Sequence, residues 1–312
     1  MLKILMKKII FLIAFPVLYI GLTQDVFPQT IKYVIGYPED DMSNEWRAAQ
    51  VREVEKELNN HNNVKLLTSD AKGSIERNII DIEYMVSQQV QLLFLAPRNP
   101  DVLEPIVEKL YKSGIKIILL TRKMNSEHFD TFIGPNDFEI AYNAATYLAE
   151  QMHEEGVVLM LEGIKSTTTA IQRGNGFLKG ISKYKKIKTI IKTANYSKIN
   201  AIMVVEDLYT QQIRYDAIFA HNDAMAIGAH MAQKNLGIDP ATVPAVSIDY
   251  LPEIREAIRK GEHSASFTYP TCGKEGVKAA LALLQGKKVP RFIPIPSQIV
   301  TKENVEKVPT TY

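Results

Sequence analysis

The sequence holds a single cysteine, Cys272, in 312 residues, so it closes no internal disulfide and offers no cysteine cluster for a structural metal. It also lacks a dominant charge. The 37 Lys and Arg stand against 35 Asp and Glu, a formal +2, which builds in no attraction for nucleic acid. The usual catalytic signatures are missing. GIKS at Gly163 has no glycine five positions before its own, so there is no GxxxxGK[ST] loop. RGNGFLKG, Arg173 to Gly180, departs from GxGxxG spacing and does not directly follow a strand. The six histidines form no HExxH and no paired ligand spacing, and GxSxG is absent. Without a nucleophile, ligand set or phosphate loop, enzyme readings fall away: no catalytic residue, no metal and no cofactor is expected. His221, alone at a strand end, reads as a hydrogen-bonding or packing residue rather than a base.

What is present describes an ordinary globular protein, with 46% hydrophobic and 23% charged residues. The length suits two lobes or domains better than one core. At the N-terminus, Lys3, Lys7 and Lys8 precede an apolar run from Ile9 to Leu22, the charge-then-hydrophobic order of an export signal. That run is short against the roughly 20 residues of a spanning helix, and Pro16 interrupts it. No Ala-x-Ala follows and no cysteine stands ready to take a lipid. Residues 1–30 are therefore read as a signal peptide or an N-terminal membrane anchor, the only part expected to meet a membrane, with an exported, periplasmic body behind it.

From Ile31 onward, β-branched apolar runs alternate with stretches of helical period, the pattern of a parallel sheet wrapped by helices. The strand candidates are IKYVIGY, VKLLT, QLLFLAP and IKIILLT, separated by EWRAAQVREVEKEL, SIERNIIDIEYMVSQQ and DVLEPIVEKLYKSG. A second series follows: VVLMLEG, IKTIIKTA, YDAIFA and AVSID. Near-continuous apolar strands imply burial on both faces, so each half is expected to be a three-layer unit. In such units ligands bind beyond the carboxyl ends of the strands, which directs attention to the polar residues there. In AIFAHNDAMAIGAH, Asp223 is expected to cap the helix it begins, while Asn222, one residue earlier, points into the cleft with an amide that both donates and accepts. The strand-end set is rich in Arg, Asn, Asp and aromatic rings. Such groups suit a neutral, polyhydroxylated ligand: carboxylates accept from hydroxyls, guanidinium groups donate, and rings cover a C–H face.

LEGIKSTTTAIQRGNGF, Leu161 to Phe177, resembles the GxxGTSAARERxxGF segment of the type I periplasmic binding proteins of the ribose-binding kind, and FAHNDAMAIGA resembles their FAxNDxMAxGA. LLTRK and VSIDYLPE match two further segments, commonly LDR and VGFDG. The resemblance runs from Ile31 to the end. It implies an α/β fold of two Rossmann-like lobes with parallel sheets joined by a three-crossing hinge, with lobe one at 31–135 plus 269–296 and lobe two at 136–268 plus 297–312. It implies sugar contacts from Trp46, Arg122, Arg173, Tyr196, Asn222, Asp249 and Thr268. The first loop, PEDDMSNEW, lacks the family's usual pair of phenylalanines; Trp46 is expected to supply one stacking face and Asp40, Asp41 or Asn44 polar contacts. Thr121 replaces the family's usual Asp, which removes a charge-assisted acceptor. A monosaccharide of five or six carbons, such as fructose or ribose, is the expected ligand. Three outputs share this fold. A repressor would need a helix-turn-helix where residues 1–30 read as an export segment. The sensing domain of a membrane histidine kinase is the preferred partner arrangement, and a free receptor for a sugar ABC permease is the alternative.

Overall fold

The computed structural model describes residues 31–312; the reading of residues 1–30 as signal or anchor lies outside the described residues. The first sheet is built from β1 (Tyr33–Glu39), β2 (Val64–Asp70), β3 (Leu92–Leu95), β4 (Lys116–Leu120) and β5 (Thr131–Gly134), with α1 (Glu45–Leu58), α2 (Ile75–Ser87) and α3 (Pro100–Lys112) between successive strands. After α4 (Asp137–Gln151), the second sheet takes β6 (Glu155–Glu162), β7 (Lys186–Thr193), β8 (Ala217–Ala220), β9 (Ala245–Asp249) and β10 (Ala265–Thr268). Its helices are α5 (Thr168–Ile181), α6 (Lys198–Thr210), α7 (Asp223–Asn235) and α8 (Pro252–Lys260). The chain then returns through α9 (Gly273–Leu284) to β11 (Phe292–Pro294) and ends with β12 (Ile299–Val300).

The sheets have the same plan. Strand orders are β11-β5-β4-β3-β1-β2 and β12-β10-β9-β8-β6-β7, all parallel except the β10–β12 pair. Every residue of β3 (LLFL) and β8 (AIFA) is buried, as two covered faces require. One cluster joins Ile35, Phe94 and Ile118 to Val54 of α1 and Val277 of α9. Another joins Leu93 and Ile117 to Ile82 of α2 and Val107 of α3. The second sheet is sandwiched likewise, with Ala144 of α4 and Phe177 of α5 on one side and Val205 of α6, Ala229 of α7 and Ile258 of α8 on the other. The expected α/β class with two three-layer lobes is what the chain forms.

Local chemistry sets the helix starts. Asn44, Ser74, Asn99, Asn136, Thr167, Ser197 and Asn222 each accept the backbone N–H three residues on, opening α1 to α7 in turn. Each such cap contributes about 0.5–2 kcal/mol. Because the strands are parallel, all these helix starts, and the loops that carry them, gather at the carboxyl ends of the two sheets. In each sheet the order reverses at the first strand, between β1 and β3 and between β6 and β8, which is where ligands of doubly wound folds bind.

Candidate ligand-binding site

A cavity of about 390 Å³ lies between the strand ends of the two sheets, within the usual size of small-molecule sites. Its wall includes Asp41, Asn44, Trp46, Arg122, Arg173, Tyr196, Asn222 and Asp249, eight of the nine residues singled out in the sequence.

The ninth, Thr268, is a correction. Its hydroxyl accepts the Gln298 N–H at 3.0 Å and its carbonyl accepts the Ser297 hydroxyl at 2.7 Å, so it ties the end of β10 to the segment leading into β12 instead of lining the cavity. Side chains alternate along an extended chain, and the wall position passes to Tyr269. The Tyr269 carbonyl accepts the Trp46 indole N–H at 3.0 Å, and the two rings tilt at 58° with centroids 5.5 Å apart.

The capping expectation is also corrected. Asn222, extended at φ −151°, accepts the Met225 N–H at 3.1 Å through Oδ1 and so opens α7 itself. The residue also lines the cavity. Asp223 is the first helical residue and turns into the sheet instead. It accepts from Leu251 N–H at 2.6 Å, from the Ser266 hydroxyl at 2.8 Å and from the Ser247 hydroxyl. Burial outweighs these donors and pushes its carboxyl up to about 7.

On the first sheet's side, Asp40 organises the guanidinium groups. Its Oδ2 accepts from Arg122 at 3.0 Å and Arg98 at 3.3 Å. Burial opposes ionisation, but Arg122, Glu39 and Arg47 together hold Asp40 below the usual carboxylate range. Asp40 therefore supplies the charge-assisted acceptor that Thr121 cannot. Thr121 Oγ1 faces inward, accepting from Arg47 at 3.2 Å and donating to the Leu120 carbonyl at 2.7 Å. Behind Asp40, burial pushes Glu39 up to about 8 against the pull of Arg47. Asp40 is one of the polar contacts the sequence offers from the first loop; Arg98 follows a strand but is not among the nine residues singled out. Asp41 uses Oδ1 on the Ser43 N–H at 3.0 Å, and Asn44 uses Oδ1 on Arg47 N–H at 3.2 Å.

On the second sheet's side, Arg173 donates through Nε to Asp137 at 2.8 Å and through Nη1 to the His221 carbonyl. The Tyr269 hydroxyl takes the other Asp137 oxygen at 3.2 Å, and the guanidinium lies 4.5 Å over the Tyr269 ring centre. Asp249 is 4% exposed; burial pushes its carboxyl well up while Arg173 pulls the other way. His221 Nδ1 accepts the Gly163 N–H at 3.3 Å, and burial, then Arg173, hold the ring well below its ordinary value. An uncharged imidazole tied to a loop positions that loop. A Cβ on Gly163 would stand 2.1 Å from the Tyr196 ring, so glycine there lets Tyr196 form the wall.

The backbone is strained around this cavity. Thr121 (φ 61°), Asn195 (54°), Tyr196 (59°) and Asp249 (128°) all line it in conformations that side chains rarely adopt. The adjoining Tyr250 (φ 60°) is clamped. Its N–H reaches Ser266 at 3.1 Å, its hydroxyl the Val305 carbonyl at 3.1 Å, and its carbonyl the Thr311 N–H at 3.2 Å. Loops of the two sheets also bond directly. Ser166 Oγ donates to the Arg98 carbonyl at 2.7 Å, Thr169 Oγ1 to the Thr121 carbonyl at 3.1 Å, and Lys123 N–H to Thr168 Oγ1 at 2.8 Å. Among the described residues, Glu104, Glu108 and His128 alone have metal-ligand geometry. They lie outside the cavity wall, and Lys112 already pairs with Glu108 at 2.5 Å.

The model of the periplasmic binding protein domain matches residues 35–288. The ribose import binding protein of Escherichia coli is 25% identical over 240 residues, covering 76% of this chain and 80% of that protein. Among solved structures, the fructose-binding periplasmic domain of a hybrid two-component system superposes with a TM-score of 0.83 and 28% identity, covering 88% of this chain and 92% of that one. A periplasmic solute-binding protein of an ABC transporter from Actinobacillus succinogenes, with bound D-allose, gives 0.79 and 25%, covering 89% and 100%.

Proposed function

We propose, for a chain that belongs to the periplasmic binding protein domain family, that it binds one unphosphorylated monosaccharide in the cavity between its two lobes, outside the cytoplasm. The observation that carries this reading is the composition of the cavity wall: the Asn222 amide, the Asp249 carboxyl and the guanidinium groups of Arg122 and Arg173 converge beside the Trp46 and Tyr269 rings. Such a wall pairs hydroxyls on one side and covers C–H faces on the other. It performs no chemistry on the sugar.

The signal is lobe closure. Lobe one (31–135 plus 269–296) and lobe two (136–268 plus 297–312) move about their three crossings, and a sugar held by both lobes favours the closed form by its differential affinity. The bonds from Ser166 to Arg98 and from Thr169 to Thr121, which join loops of the two sheets, support this reading. The preferred output is sensing, with closure transmitted to a membrane-linked signalling domain. The likeness to the fructose-binding domain of a hybrid two-component system supports it. Delivery to an ABC permease is the second reading, supported by the likeness to the ribose import protein. Calorimetry against pentoses, hexoses, nucleotides and amino acids tests the ligand class; binding of a nucleotide or amino acid alone overturns it. Intact mass and fractionation of the exported protein test the output. Retention of residues 1–30 in the membrane fraction fits the sensor, and complete cleavage to a soluble species contradicts it.

A further inference from the structure

The segment that carries the chain from β10 into α9, Tyr269 to Gly273, is fastened to one face of α1. Trp46, Gln50 and Glu53 stand at i, i+4 and i+7, a single stripe of a helix, and each bonds this segment. Trp46 Nε1 donates to the Tyr269 carbonyl at 3.0 Å and Gln50 Nε2 to the Thr271 carbonyl at 2.5 Å. Glu53 Oε2 accepts the Gly273 N–H at 2.7 Å and also the Thr271 hydroxyl. The Gln50 amide has one orientation, because its oxygen accepts from the Tyr37 hydroxyl at 2.8 Å and from Arg47 at 3.0 Å. The residue that precedes α9, Cys272, makes no side-chain cap bond, so Glu53 caps that helix from another one. A Cβ on Gly273 would stand 2.7 Å from Glu53 Oε2, and glycine permits the approach.

The segment itself is stiff. Pro270 fixes its own φ and restricts Tyr269 before it. Cys272 is held at φ 64°, a conformation that persists only where the surroundings over-determine it. Thr268, one residue earlier, belongs to the second sheet: it pairs with Asp249 of β9 and accepts the Gln298 N–H at 3.0 Å. The change from one lobe to the other therefore falls between Thr268 and Tyr269. Tyr269 is bonded on both sides of that change. Its carbonyl is tied to α1, while its hydroxyl donates at 3.2 Å to Asp137, which opens α4 and pairs with Arg173.

Resting on the reading of the inter-lobe cavity as a sugar site, we propose that Gln50 and Glu53, neither of which lines that cavity, are positioning residues for it. Through the 269–273 segment they hold Tyr269 beside Trp46 as part of the first lobe's wall, and the Tyr269 hydroxyl on Asp137 then joins the lobes around the ligand. The test uses the full chain with D-fructose and D-ribose as probes, at a temperature where melting curves show every variant folded. Glu53→Leu deletes the acceptor and is expected to weaken the bound sugar at least about fivefold, whereas Glu53→Gln keeps an acceptor and restores most of the affinity. Tyr269→Phe keeps the ring, deletes the bond to Asp137 and weakens the sugar as well, with a less than additive loss in the double variant because Glu53 acts through Tyr269. A helix cap without this role would lower the melting temperature and leave affinity unchanged. Spin labels on cysteines replacing exposed Lys109 of α3 and Asn235 of α7 give a readout without sugar, since Cys272 is 1% exposed and stays unlabelled. Glu53→Leu is expected to broaden the inter-lobe distance distribution. Parent-like affinity in Glu53→Leu, or fully additive losses, overturns the inference. If the parent binds neither probe, the affinity result counts against the sugar reading instead, and the label distances decide: a parent-like distribution in Glu53→Leu overturns the inference and a broadened one supports it.

Discussion

Asn222 holds two positions at once, and two substitutions separate them. Its Oδ1 caps α7 through Met225 N–H at 3.1 Å, while the residue also lines the cavity, where the proposed sugar site uses its NH₂ as a donor. Asn222→Ala removes both. Losing the cap costs about 0.5–2 kcal/mol of folding stability. Leaving a buried sugar hydroxyl unpaired costs about 1–3 kcal/mol of binding, roughly fivefold to over a hundredfold in affinity. Asn222→Asp retains an oxygen that caps as well as Asn but deletes the donor, so stability should stay near the parent while affinity falls. Urea melts without sugar measure the first effect and calorimetric titrations the second. If Asn222→Asp binds sugar like the parent while Asn222→Ala loses stability alone, the residue is a cap only and its place in the ligand site must be withdrawn.

The remaining predictions test the frame around the cavity. Arg173→Ala leaves Asp137 buried without its guanidinium partner and should cost about 3–5 kcal/mol in a urea melt; a loss below about 1 kcal/mol would contradict the buried pair. Asp223 has a folded pKa raised to about 7 from 3.8, so the folded state holds the extra proton between those values. Its contribution to stability is fully present below about pH 4 and lost as pH rises through about 7. Asp223→Asn should make the dependence of melting temperature on pH shallower across that window, and an unchanged slope would refute the assignment. Ser166→Ala deletes a bond between the lobes and should speed sugar release more than it slows capture, as stopped-flow traces would show.

Much of this was legible in sequence because parallel sheets make a one-dimensional rule. Apolar runs such as QLLFLAP and YDAIFA located β3 and β8, and the polar residues that follow such runs fell at the cavity wall. Direction of side chains was less legible. Whether Thr268 or Tyr269 faces the cavity depends on the exact phase of a four-residue strand, β10, and a one-residue error exchanges the faces. Asn222 and Asp223 are both good cap residues, and only the position where α7 begins decides which one caps. Asp40 was legible only as one polar residue of the first loop, because its role is relational: it acts through Arg98 and Arg122, 58 and 82 positions away. The missing Asp at Thr121 was the available hint, since two guanidinium groups in a closed cleft require an acceptor from elsewhere.

Trp46 is the only tryptophan in the chain, is 6% exposed and lies in the wall of the inter-lobe cavity, so its emission reports that site directly. The full chain should be titrated with D-fructose and D-ribose, with a nucleotide and an amino acid as controls, reading Trp46 emission and heat together. The account predicts that one sugar gives a saturable change in both signals at one site per chain, with the sugar recovered unaltered and the controls silent. A response to a control and to no sugar, or sugar heat that saturates while Trp46 emission stays constant, would contradict the claim that this cavity is a sugar site.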